Sequence, residues 1–416
     1  MAALPTSAAN ANRWPGSQLQ SGHRLELLPG GDALFAALVQ AIDAARTSVH
    51  LETYIFAFEG APLRVAEALE RAALRGLDVR LVVDGIGTGA LPPEWQVRFD
   101  RAGVQWRVFA PLGRFGLFIP SRWRRLHRKL CVVDGVLGFC GGINLIDDHL
   151  DPAMGPLEHP RFDFAVRCTG PLVLPMAFTL LQLWSRIDVL RQARHSEFRQ
   201  AWATVQTNAD WQPAWLTRWH TPSERGGTAQ LVLRDNLRHR TDIERAYLSA
   251  IASARQEVLL ANAYFVPGGR LRRALLAAVR RGVRVRVLLQ GKYEGFMQYH
   301  AARPVYKQLL DGGVELREYT LSALHAKVAV VDGQWATVGS SNLDPLSLLL
   351  AREANIVATD PPFAQSLYAH LDRAFQQASD PLDHAALRRR PWRQRLWDRV
   401  AFGLMRAVLF VSGHRY

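Results

Sequence analysis

The chain has 416 residues, 49% hydrophobic and 21% charged, a composition that excludes an intrinsically disordered protein. Its length suits two domains of about 150 to 200 residues rather than a single core. A formal charge of +14 implies a polyanionic partner, either nucleic acid or an anionic membrane face, and three cysteines are too few for a disulfide scaffold.

Residues 1–21 contain no basic start followed by an apolar run, so a disordered N-terminus without a signal peptide is expected. A first domain is expected over residues 22–186. Ile42–Phe56 (IDAARTSVHLETYIF) reads as a helix end entering a strand, and Arg75–Gly85 (RGLDVRLVVDG) as a helix exit running into another. Ala102-Gly103-Val104 then precedes the strand-like WRVF. Pro111–Arg125 (PLGRFGLFIPSRWRR) is an apolar-then-basic loop, suited equally to lipid contact or to partial burial. Cys131 and Cys140 lie in apolar runs, so buried free thiols and a reducing compartment are expected. Gly170–Ser185, interrupted by Pro175, Thr179 and Gln182, reads as a buried core helix. No uncharged stretch reaches the roughly 20 apolar residues of a spanning helix.

A helical connector rich in Trp, Arg and Gln is expected over residues 187–229, followed by a second domain over residues 230–380. That domain repeats the first. Ile251–Phe265 (IASARQEVLLANAYF) matches Ile42–Phe56, Arg281–Gly291 (RGVRVRVLLQG) matches Arg75–Gly85, and Gly312-Gly313-Val314 before LREY matches Ala102-Gly103-Val104. Alternating strands and helices predict an α/β fold with two tandem repeats. Each would be a mixed, largely parallel sheet covered by helices on both faces, and the two would share one active site. In the tail, residues 381–416, Arg388 to Tyr416 holds eight arginines and one aspartate, net +7. Trp392, Leu396, Val400, Leu404, Val408 and Val411 recur at helical spacing, which predicts a basic amphipathic helix suited to a membrane interface, with packing on the protein's own core as the alternative.

The chemistry lies in a motif present once per repeat. Leu126–Leu145 (LHRKLCVVDGVLGFCGGINL) and Leu324–Leu343 (LHAKVAVVDGQWATVGSSNL) share His-x-Lys, an Asp, and Gly-Gly/Ser-x-Asn at identical spacing. The candidates are thus His127, Lys129, Asp134 and Asn144 in the first copy, and His325, Lys327, Asp332 and Asn342 in the second. Asp-Gly between apolar runs predicts a two-residue hairpin loop. On that register Val133 faces Val136 and His127 faces Gly142, while Val331 faces Gln334 and His325 faces Ser340, leaving room for a phosphoryl group at each imidazole. His and Lys at i and i+2 share a strand face. Asp134 is about 16 Å along the strand from Lys129, so Asp134 and Asp332 are expected to stabilise turns rather than to act in catalysis. Asp163 and Glu353, each entering the next apolar strand, are the candidates for orienting a histidine. One imidazole would attack phosphorus and the other would serve as acid and base, with the lysines and asparagines stabilising the phosphoryl oxygens. No metal or other cofactor is expected, since the lysines supply the positive charge.

These residues resemble the HKD motifs of the phospholipase D superfamily over roughly residues 22–380. Leu126-His127-Arg128-Lys129, Gly141-Gly-Ile-Asn144, Asp163-Phe-Ala-Val-Arg with Gly170-Pro171, and Asn262-Ala-Tyr-Phe-Val-Pro267 are similar to bacterial cardiolipin synthases of the B-type, without N-terminal spanning helices. The resemblance implies transphosphatidylation with phosphatidylglycerol as donor and acceptor, a phosphohistidine intermediate, His127 as nucleophile and His325 as acid and base. It places the chain peripherally on the cytoplasmic side of the cell membrane, with an anionic phospholipid membrane as partner and no nucleic acid. Phospholipase D hydrolysis by the same residues is the alternative, followed by a nuclease of the same superfamily. A nuclease would instead carry basic residues along a groove with aromatic stacking positions.

Overall fold

The computed structural model describes residues 19–111, 113, 123–151, 155–194, 227–235, 239–292, 296–344, 351–383, 385 and 391–411. In the first half the strands are β1 (Gln20–Pro29), β2 (Ser48–Thr53), β3 (Asp78–Asp84), β4 (Gln105–Phe109), β5 (Arg125–Leu126), β6 (Leu130–Val133), β7 (Leu137–Gly141), β8 (Leu150–Asp151), β9 (Gly155–Pro156) and β10 (Phe164–Thr169). The second half adds β11 (Gly227–Arg234), β12 (Glu257–Asn262), β13 (Arg284–Gln290), β14 (Glu315–Tyr319), β15 (Lys327–Val331), β16 (Trp335–Gly339), β17 (Ala351–Thr359) and β18 (Ser379–Leu382).

All but β8 and β9 join one sheet, whose main path is β18-β14-β13-β12-β15-β16-β17-β11-β1-β10-β7-β6-β2-β3-β4. The two halves meet where β1 pairs antiparallel with β11. This joint moves two expected boundaries. β1 begins at Gln20, within the stretch expected to be disordered, because Gln20 pairs with Ala229. For the same reason β11 begins at Gly227 rather than at residue 230. Most of the expected connector lies outside the described residues, as does most of the Pro111–Arg125 loop.

The parallel runs predicted by the βαβ pattern, β2-β3-β4 and β12-β13-β14, form the outer wing of each half. Antiparallel pairing fills the centre, since each motif folds as a hairpin whose strands must run against each other. Both faces are covered. Helices Gly30–Ala44, Leu63–Leu74 and Pro93–Ala102 pack on Leu51, Leu81 and Phe139 in the first half. Helices Asp242–Ser253, Gly269–Arg280 and Phe296–Asp311 pack on Leu260, Val287 and Ala329 in the second. The opposite face carries helices Val173–Arg194 and Pro361–Gln377, whose core includes Val166, Met176, Ile356 and Leu367 from both halves. The expected core helix is the buried start of Val173–Arg194. The three cysteines are buried and free. Among the described residues no helix is long and apolar enough to cross a membrane.

The hairpins correct the expected register. Asp134 and Gly135 take positive φ (51° and 70°), and Val136 N–H closes on the Val133 carbonyl at 3.1 Å, as a two-residue loop requires. Pairing nevertheless resumes at Val133↔Leu137, leaving exposed Val136 as an extra residue. In the second hairpin Val331 pairs with Trp335, and Gln334 is extra. The core imposes this shift. It keeps Cys131 opposite Phe139 on one face and Leu130 opposite Cys140 on the other, whereas a one-residue slip would pair side chains belonging to opposite faces.

The motif aspartates bind distant backbone rather than their own turns. Asp134 Oδ1 accepts from the N–H groups of Thr47 (2.8 Å) and Ser48 (3.0 Å), and Oδ2 from Arg46 (2.9 Å). Asp332 receives Arg255, Gln256 and Glu257 at 2.8 Å each. Each thereby pins the tip of its hairpin to the loop that starts the neighbouring strand. Burial alone would raise Asp134, but these donors outweigh it and hold the carboxyl below its ordinary range. Asparagine tolerates the same left-handed backbone but loses the charge. Asp134→Asn should therefore lower unfolding free energy in urea by about 1–2 kcal/mol. Its turnover per folded molecule should stay within about twofold, less than 0.5 kcal/mol of barrier.

The tail forms helix Trp392–Val411 and lies against helix Phe296–Asp311. Asp398 reaches His300 at 2.6 Å, and Ala401 is buried in the second-half core. The predicted apolar stripe is on another face. Trp392, Leu396, Val400 and Leu404 are 64%, 51%, 47% and 54% exposed, with Trp397 beside them at 50%. The side chains of Val408 and Val411 lie outside the description.

Candidate active site

Two short parallel contacts between the halves bring the motifs together. Arg125–Leu126 pairs with Ala351–Arg352, so His127 N–H donates to the Arg352 carbonyl at 3.1 Å. In the mirror arrangement Phe162 bridges Leu324, and His325 N–H donates to the Phe162 carbonyl at 2.9 Å. Each histidine thus lies beside the residue preceding the other repeat's carboxylate.

The side chains follow the backbone. His127 Nδ1 meets Glu353 Oε2 at 3.0 Å, and His325 Nδ1 meets Asp163 Oδ2 at 2.6 Å. The carboxylates are crossed: each repeat orients the histidine of the other. Each ring keeps an open edge, with 15% of the His127 side chain and 19% of His325 accessible. With Nδ1–H donated to a carboxylate, the neutral imidazole carries its lone pair on Nε2.

Gly142 and Ser340 therefore do not face their own histidines, as the two-residue loop predicted. A Cβ on Gly142 would collide with the Asp163 carboxylate, and Gly142 N–H donates to the Phe164 carbonyl at 2.9 Å. Ser340 lies against Glu353, donating its hydroxyl to Oε2 at 2.5 Å, and its carbonyl stands 3.2 Å from His127 Nδ1. The small residue makes room for the carboxylate rather than directly for phosphate.

Both lysines fold back onto the preceding histidine carbonyls, Lys129 Nζ to His127 O at 2.8 Å and Lys327 Nζ to His325 O. Asn144 Oδ1 accepts Ile55 N–H at 3.3 Å, leaving its amide N–H groups as donors, and Asn342 is buried with no partner for Oδ1 among the described residues. Sequence reasoning missed Tyr54, whose ring centre is 5.0 Å from that of His127. It also missed Asp84, which accepts Leu126 N–H at 2.7 Å and Arg125 at 3.1 Å. Asp84 ends a strand in the repeated Arg75–Gly85 segment, but nothing in that pattern links it to the motif.

Electrostatics separate the two pairs. Burial lowers both imidazoles, His325 well below its ordinary value with Lys327 and Lys129 adding to the effect. Burial also raises Asp163 to about 7. Burial would likewise raise Glu353, but His127, Lys129 and the Ser340 hydroxyl outweigh it and hold Glu353 low. One pair thus contains a firm carboxylate, while the other contains an acid that exchanges its proton near neutrality. Two buried His–carboxylate pairs beside two lysines suit in-line displacement at a phosphodiester.

A family model described as "Cardiolipin synthase, PLD-like domain" matches residues 38–153 and 247–377. The chain is 36% identical over 392 residues to cardiolipin synthase B of Escherichia coli strain K12, covering 93% of this chain and 89% of that protein. It is 30% identical to the cardiolipin synthase of Geobacillus thermodenitrificans, over 90% of this chain and 70% of that one. A crystal structure of a phosphatidylserine synthase from Haemophilus influenzae superposes with a TM-score of 0.63 at 13% identity, covering 92% and 94% of the two chains, a likeness of fold. With the duplicated motif assembled into one crossed site, these matches show that the chain belongs to the cardiolipin synthase family of phospholipase D-like enzymes.

Proposed function

We propose that the protein is a phosphatidyltransferase that makes cardiolipin from two phosphatidylglycerol molecules through a phosphohistidine. The crossed carboxylates carry this reading, because each holds Nδ1 of one ring and leaves its Nε2 for the reaction, one as nucleophile and the other to carry the proton. His127 Nε2 attacks the donor phosphorus, and the bond to the glycerol oxygen breaks as the His325 imidazolium protonates it. Neutral His325 then takes the proton of the second lipid's glycerol hydroxyl. That oxygen attacks phosphorus and breaks the P–N bond. Lys129, Lys327, Asn144 and Asn342 hold the non-bridging oxygens, whose negative charge in turn favours imidazolium at His325. Purified protein on phosphatidylglycerol vesicles should release glycerol and diphosphatidylglycerol in equal amounts. Phosphatidic acid as the only lipid product would overturn the transfer reading.

The protein works peripherally on the anionic, cytoplasmic face of the cell membrane, without nucleic acid. The exposed stripe of helix Trp392–Val411, flanked by exposed Arg393 and Arg399, supports this placement. Apolar contact resists salt, while each nearby basic residue adds about 1 kcal/mol. Replacing Trp392, Leu396, Val400 and Leu404 together with serine leaves Asp398 and Ala401 to dock the helix. Affinity for phosphatidylglycerol vesicles at high salt should then fall by about 100-fold or more, roughly 3 kcal/mol. Activity on a short-chain soluble substrate should barely change, and undiminished flotation with vesicles would exclude this face.

A further inference from the structure

Tyr54 follows β2, and its placement is built by a neighbouring loop. Thr88 Oγ1 donates to the Tyr54 carbonyl at 3.0 Å. A Cβ on Gly87 would come within 2.8 Å of ring atom Cδ2, so the loop closes beneath the ring only with glycine there. The buried Asp84 carboxylate caps that loop through Ile86 N–H (2.7 Å) and Gly87 N–H (3.1 Å), and also holds Leu126 N–H at the entry to His127. The support of Tyr54 and the strand bearing the first motif thus share one anchor. The ring is tilted 56° to the His127 imidazole, and Lys129 Nζ sits 5.4 Å from its centre.

We propose that Tyr54 is a positioning residue of the first half-site, its π face holding Lys129 as an ammonium while its body limits rotation of His127. An ammonium over an aromatic face is attracted by the ring quadrupole, most strongly where water is excluded. Lys129 needs such help. Burial pushes it down to about 7, with Lys327 acting in the same direction and Glu353, Asp163 and Asp84 opposing. His127 lies two residues before Lys129 in the segment between β5 and β6, so Tyr54 is an uncharged support within a crowded set of titratable groups. Burial and the Asp84 carboxylate raise the Tyr54 phenol above its ordinary value, with Arg125 opposing, so the ring stays uncharged beside Lys129.

The test compares Tyr54→Phe, which keeps the ring, with Tyr54→Leu, which keeps only apolar bulk. Competitive acetylation of Lys129 in the full-length protein, followed against pH by peptide mass spectrometry, measures the lysine without any substrate. Loss of the ring should lower the Lys129 titration by about 0.5 to 1 pH unit in Tyr54→Leu. Tyr54→Phe should match wild type. Because Lys129 must stay protonated to bind phosphate, the alkaline limb of kcat/KM should move down in the same variant. Tyr54→Leu should therefore lose about three- to tenfold at pH 8 and much less at pH 6.5. The activity arm rests on the phosphatidyl-transfer reading, whereas the labelling arm does not. An unshifted Lys129 in a folded Tyr54→Leu protein overturns the proposal, as does a Tyr54→Phe loss equal to that of leucine. Shifted labelling without any cardiolipin formed by wild type would keep the Tyr54 role and remove the lipid assignment.

Discussion

Alanine at His127 or at His325 should each reduce cardiolipin formation by about 1,000-fold or more, because one turnover uses both rings. The two variants should then separate on a substrate whose leaving group needs no proton, such as a p-nitrophenyl phosphodiester. His325→Ala should still be phosphorylated by it, in a burst, since only acid assistance is missing. His127→Ala should give no burst. In wild type, acid-labile and base-stable phosphate should appear on the peptide containing His127. Its appearance on His325 would exchange the two roles. Retention of more than about a tenth of wild-type turnover in either variant, a loss below roughly 1.4 kcal/mol, would contradict a single shared site.

The second large effect concerns the crossed carboxylates. Glu353→Gln and Asp163→Asn should each cost about 100- to 1,000-fold, less than a triad aspartate can, since packing still positions the rings. The crossing makes their phenotypes specific. Glu353 contacts His127 at 3.0 Å, so Glu353→Gln should slow phosphoenzyme formation even from the p-nitrophenyl ester. Asp163 contacts His325 at 2.6 Å, so Asp163→Asn should spare that burst and impair only the natural reaction. The combination His127→Ala with Glu353→Gln should be no worse than His127→Ala alone, because residues acting as one unit are not additive. A uniform twofold effect at both carboxylates would make them ordinary strand-end acids.

Much of this site was legible in the chain because a duplicated motif repeats its chemistry at fixed spacing. His127, Lys129, His325 and Lys327 could be picked out from that spacing, and Asp163 and Glu353 from their entry into apolar strands. Which acid serves which ring could not. That pairing depends on how Arg125–Leu126 docks beside Ala351–Arg352, a packing choice between halves that leaves no local pattern. The extra residues Val136 and Gln334 were missed because the Asp-Gly turn chemistry is correct for a two-residue loop, and the core overrides it one residue later. The tail shows the converse. Periodicity correctly grouped Trp392, Leu396, Val400 and Leu404, but docking through Asp398 and Ala401 decides that this face stays uncovered.

The crossing also bears on how the protein comes to life. His127 and Glu353 are 226 residues apart in the chain, and Asp163 and His325 are 162 apart. Contacts of such high order form late, since the loops they close must be ordered first. A nascent or half-folded chain can complete its first hairpin, yet neither ring has its acid until the last third is made and docked. On the phosphatidyl-transfer reading, a partly folded chain lacks both His–carboxylate pairs. It should react with a bilayer at least about 100-fold more slowly than the docked protein, which limits wasteful hydrolysis of lipid during synthesis.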